Sequence, residues 1–160
     1  MKKKDVRLYN VLFPIWFFYF FPQLWLIILP VNFIVDSLVI YLSARRQQLD
    51  GRPALWKKHI LPVWGIGFLS DLLGALFVVI LYVVWCGFDA QGIELLNPIL
   101  FPGTTLIAIP GVLLAGWLIY WLNRKLTFRK SDLDPVVIHK LCLHLAIWTA
   151  PYTMLIPLYG

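Results

Sequence analysis

The sequence predicts an all-α integral membrane protein, with a proline-broken re-entrant hairpin over 11–43 and three transmembrane helices near 60–88, 104–122 and 135–158. Three observations predict it. Hydrophobic residues make up 61% of the chain and charged residues 14%, far from the balance of a typical soluble domain. The apolar residues fall in long runs, not at a helical or strand period, so the helices are greasy on every side. All 14 Lys and Arg lie in three short segments, 2–7, 45–58 and 124–140, whereas Asp89 to Asn97 carries Asp89, Glu94 and no basic residue. That distribution is the positive-inside bias of a polytopic protein. It accounts for the net charge of +6 without nucleic acid, for which no stacking platform or base-reading basic helix is present. At 160 residues the chain is a single multi-span domain, whose helices must pack on one another, on lipid or on another subunit.

The hairpin is the element that sets the topology. Val11 to Ser43 holds one formal charge, Asp36, and is broken by Pro14, Pro22 and Pro30. As one helix it would reach ~50 Å against a hydrocarbon core of ~30 Å. Basic residues flank it on both sides: Lys2, Lys3, Lys4 and Arg7 before it, Arg45 and Arg46 after it. Both flanks on the cytoplasmic side require a hairpin with its apex near Pro22. The alternative is a full span over Leu24 to Ser43, giving four transmembrane helices. The aromatic limb Val11 to Phe21 suits the headgroup boundary; the whole run 11–43 is too long and too rich in proline and bulky aromatics for a cleaved signal peptide, and no small-x-small site ends it. Pro30 interrupts the second limb, where Gln23 or Asn32 stands close enough to serve the freed backbone.

Residues 44–59 then form a cytoplasmic loop with a turn at Asp50-Gly51, ending in Trp56, Lys57, Lys58 and His59 as an interfacial anchor. The run Ile60 to Phe88 is loosened by Pro62, Gly65 and Gly67 and becomes a firm helix from Leu69. Ser70 and Gly74 are four apart, a pair that permits close helix approach; Gly111 and Ala115 repeat that spacing in the next helix. Thr104 to Leu122 returns inward with a kink at Pro110 and ends in Trp117, Tyr120 and Trp121, followed by Asn123, Arg124 and Lys125. After the loop 123–134, Asp134-Pro135 reads as a helix start, a carboxylate N-cap before a proline. The last helix leaves the C-terminus outside the plasma membrane.

Polarity inside the apolar runs marks the residues that carry chemistry. Asp71 lies ~16 Å from the cytoplasmic end of its helix, near the midplane, where an aspartate costs roughly 2.5–3.5 kcal/mol on insertion scales. It reads as a proton or cation site, or as a hydrogen-bonded link between helices. Asp36 is shallower, with Asn32 one turn away and Ser43 continuing the face. His144 comes within reach of Asp71 if their helices adjoin, or bonds a neighbouring backbone. His139 and His144 point in different directions and do not form a metal site together. Arg124, Lys125, Arg129 and Lys130 face anionic lipid headgroups or act only as a topology signal. Cys86 and Cys142 stand near opposite faces and read as small buried residues. No nucleotide, hydrolase or metalloprotease motif occurs, and no cofactor is implied. The functional expectation is a small proton- or cation-linked transporter or channel subunit working as a homo-oligomer in the lipid bilayer. A scaffold subunit of a larger membrane complex is the alternative, and a lipid-modifying enzyme the weakest reading.

Overall fold

The computed structural model describes residues 22–86 and 103–155. These form four helices: α1 (Pro22–Arg46), α2 (Arg52–Cys86), α3 (Gly103–Leu122) and α4 (Pro135–Trp148), with no strand among the described residues. A π-helical turn, Asn123–Thr127, extends α3, and a short 3₁₀ turn, Tyr152–Leu155, follows α4. Each helix packs on two others, α1 on α2 and α4, and α3 on α2 and α4, so the four stand at the corners of a square. Among the described residues two helices are long and apolar enough to cross a membrane, over Leu26–Arg46 and Arg52–Leu81, each with a mean hydropathy of 2.1.

The buried residues form one narrow stripe per helix. On α2 they are His59, Ile60, Val63, Gly67, Ser70 and Gly74; on α3, Ala108, Gly111, Val112, Ala115 and Ile119. Spacings of three and four keep each stripe on one face. On α1, Asp36, Ile40, Ser43 and Ala44 point inward, and on α4 Leu141, Cys142 and Leu145 do so. The large apolar core gathers at the end of the bundle that also carries the basic residues. There Ile40, Ile60, Val63, Ile119, Leu141 and Leu145 close around Phe128, which is 1% exposed.

At the other end α2 and α3 meet through glycine. A Cβ on Gly74 would lie 2.7 Å from the Gly111 carbonyl oxygen and 2.9 Å from Ala115 Cβ. A Cβ on Gly111 would meet Val78 Cγ2 and stand 2.9 Å from the Gly74 oxygen. Bare backbone on both sides is what allows this approach. Ser70 is fully buried beside it and bonds back to the Ile66 carbonyl at 2.7 Å.

Several expected boundaries are corrected. The aromatic limb 11–21 and the loop 89–97 lie outside the described residues, whereas Pro22, the expected apex, is the first residue of α1. The second limb is not interrupted at Pro30: α1 runs unbroken for 25 residues, ~37 Å of helix. It stops at Gln48, whose φ of 53° is left-handed. There Leu49 N–H donates to the Ala44 carbonyl and Gln48 N–H to that of Arg45, the paired bonds of a Schellman C-cap. Helix α2 begins at Arg52, where Gly51 accepts from the N–H groups of Ala54 and Leu55, and it runs unbroken past Pro62. Residues 123–127 are not loop but a π turn, with Phe128 N–H donating to the Asn123 carbonyl at 3.0 Å. Helix α4 starts on the Asp134 cap, whose Oδ1 accepts from Val136 N–H at 2.7 Å. It ends at Trp148, well short of 158, because Pro151 supplies no N–H to continue it and Thr149 closes back onto the Leu145 carbonyl.

Candidate functional site

The fold sets Asp36 of α1 against α2, one turn from Asp71. Asp36 Oδ2 lies 3.5 Å from the position a Cβ on Gly67 would take, so the α1 carboxyl rests on the notch that this glycine leaves in α2. Asp71 is one turn further along the same face of α2, and the two carboxylates interact electrostatically. Asp36 is 4% exposed. Asp71 Oδ1 is buried with no hydrogen-bond partner among the described residues. No basic side chain accompanies them, since every Lys and Arg of the described residues lies in 45–58 or 124–140. Asn32, one turn from Asp36, is half-buried. It is not hydrogen-bonded to the Leu26 carbonyl that Pro30 frees; close by, the Trp64 indole of α2 donates to the Leu29 carbonyl at 3.2 Å.

His144 does not reach Asp71. Its Nδ1 shares a 2.6 Å hydrogen bond with Ser43 Oγ across the α1–α4 contact. Gln47 Nε2 approaches the same hydroxyl at 3.4 Å, while Gln47 Oε1 is buried without a partner among the described residues. Asp36, Ile40, Ser43 and Gln47 recur at three- and four-residue spacing, so this polar cluster continues the Asp36 face of α1 toward the basic end. Ile40, fully buried, separates the two.

His59 is the residue that sequence reasoning misread. Instead of meeting solvent, it is 3% exposed, with its ring 4.8 Å from that of Phe128 and a hydrogen bond to the Thr127 backbone. The available signal was its position one turn before Val63, at the head of the buried α2 stripe. Asn123 is likewise fully buried: its Nδ2 donates to the Ile119 carbonyl at 2.9 Å and its Oδ1 accepts from Thr127 Oγ1 at 2.9 Å. An open pocket of about 220 Å³ lies beside His59, lined by Lys58, Ser131 and Asp132, and includes neither carboxylate of the pair.

Of the other predicted residues, Ser70, Gly74, Gly111 and Ala115 pack inside the chain at the α2–α3 contact. Arg124, Lys125, Arg129 and Lys130 are all exposed. Comparison with protein-family models, curated proteins and solved structures gives no match.

Proposed function

We propose that this chain is a small polytopic membrane protein that moves protons or small cations, with Asp36 and Asp71 as the site. The membrane reading is supported by surface chemistry. In the two long apolar helices only 17% and 28% of the hydrophobic window is buried, whereas the core helix of a soluble protein hides most of such a window. Leu26, Leu61, Val84, Leu113 and Trp148 are each more than 60% exposed. The length of α1, ~37 Å, exceeds the ~30 Å hydrocarbon core and favours the four-helix topology over a shallow second limb. Helix α3, at 20 residues, reaches ~30 Å.

The transport reading rests on one observation: the Asp36 carboxylate of α1 rests on a glycine notch of α2 one turn from Asp71, one Asp71 oxygen lacks a partner among the described residues, and no basic residue is at hand. A buried charge must be paired, neutralised or bound to an ion. A proton, or a cation entering between α1 and α2, supplies what the chain itself does not. Against this, the small-residue faces that favoured self-assembly or a scaffold role are occupied by the α2–α3 contact. The homo-oligomer therefore draws no support from them.

The test is flux in proteoliposomes with Asp71→Asn and Asp36→Asn. Asparagine keeps the size and most of the hydrogen bonding but carries no charge. By depth alone Asp36→Asn is the milder change; as partners in one site, both variants fold normally and lose at least ten-fold in proton or cation flux. Wild-type flux in well-folded Asp71→Asn refutes the reading and returns the scaffold alternative, which a stoichiometric foreign partner on co-purification would mark.

A further inference from the structure

Of the four exposed cations that follow α3, two are held in place. Arg124 Nη1 donates to Tyr120 Oη at 2.7 Å, with its guanidinium carbon 5.9 Å from the ring centre. The Tyr120 hydroxyl shares a 2.9 Å hydrogen bond with His139 Nδ1 on α4. The Tyr120 hydroxyl thus links Arg124 to His139, whichever of the two ring nitrogens carries the imidazole proton. Lys125 Nζ stands 4.6 Å from the centre of the Trp121 ring, and Trp121 stacks on Trp117 at 5.8 Å and 14°. Arg129 and Lys130, in the turn beyond, have no such tether among the described residues. None of Arg124, Lys125, His139 or Lys140 has an acidic partner among the described residues.

The tethered cations sit at the mouth of an apolar seam. Gly116, one turn before Tyr120, faces α4, where a Cβ would lie 3.5 Å from the Ala146 oxygen and 3.8 Å from Ala150 Cβ. Leu113, Trp117, Tyr120 and Arg124 recur on one face of α3, and His139, Leu143 and Ala146 on one face of α4. Leu113, Trp117 and Leu143 are 67%, 56% and 41% exposed, although each is apolar. The surface is therefore cationic at one end and hydrocarbon-like along the rest.

We propose that this α3–α4 seam seats an anionic phospholipid. Arg124, oriented by Tyr120 and flanked by His139 and Lys125, takes the headgroup phosphate; Leu113, Trp117 and Leu143 take an acyl chain over Gly116. Arginine keeps several N–H donors beyond the one given to Tyr120, and its planar fork matches a phosphate. A lipid with net negative charge gains from the unpaired cations, whereas a zwitterionic one does not. The inference rests on the membrane reading and is independent of ion transport.

The experiment is thermal unfolding of the full chain in detergent, titrated with phosphatidylglycerol, phosphatidylcholine or glycerol 3-phosphate. Phosphatidylglycerol raises the midpoint and the other two leave it unchanged. Arg124→Gln and Tyr120→Phe each weaken the phosphatidylglycerol response about ten-fold, as expected for loss of a charge-assisted bond; the second keeps the ring if the first fails to fold. Arg129→Gln with Lys130→Gln leaves it intact, and so does Asp71→Asn, which separates this outcome from that of the flux assay. Equal shifts with both lipids, an equal shift with glycerol 3-phosphate, or an equal loss in the Arg129/Lys130 variant each overturn the proposal. The last would reduce it to diffuse charge.

Discussion

Alanine at Gly74 and at Gly65 should have opposite effects, though both glycines lie in α2. At Gly65 a Cβ meets nothing within 4 Å. Alanine there gains the usual helix preference over glycine, ~1 kcal/mol. At Gly74 the Cβ falls 2.7 Å from the Gly111 oxygen, about 0.7 Å inside the 3.4 Å at which ordinary contact begins. The obstacle is backbone, which cannot rotate aside, so α2 and α3 must separate. Overpacking of that kind costs ~1–3 kcal/mol, from which the ~1 kcal/mol helix gain is subtracted. Gly74→Ala should therefore be ~0–2 kcal/mol less stable than wild type and Gly65→Ala ~1 kcal/mol more stable. At ~2–4 °C per kcal/mol for a chain of this size, the two midpoints should differ by several degrees in detergent. Gly111→Ala should resemble Gly74→Ala. The double variant should cost less than the sum, because one separation relieves both clashes. A Gly74→Ala protein as stable as Gly65→Ala would show that α2 and α3 do not touch here, and the square arrangement would fail with it.

Gln48→Gly should stabilise the chain by ~0.5–1 kcal/mol, because the left-handed conformation that ends α1 penalises a Cβ; an unchanged or lower midpoint in thermal unfolding would refute that cap. Topology is checked by single cysteines at positions 4, 50, 92 and 130 in a chain lacking Cys86 and Cys142. Positions 50 and 130 belong to the same end of the bundle and should both resist an impermeant maleimide in intact cells, while position 92 should react. Labelling at position 4 would place the N-terminus outside and exclude the hairpin.

What the sequence determined by itself is what composition and single residue types control. Long apolar runs read as helices because in apolar surroundings a helix satisfies each backbone polar group within its own segment. The Asp134-Pro135 start is legible for the same reason, since a cap is made within one turn of chain. The spacing of Ser70, Gly74, Gly111 and Ala115 marks faces able to approach closely. Proline was the weak guide: Pro30 and Pro62 sit within unbroken helices, because each removes one helix hydrogen bond and leaves the rest of the ladder in place. Only the tertiary structure decided which face meets which. It set Asp36 against Gly67, one turn from Asp71, gave His144 to Ser43, and buried His59 beneath Phe128. These pairings depend on the rotation and relative height of separate helices. Uniformly apolar helices carry no moment that fixes either quantity, so only the packing of small against large side chains across the bundle can do so.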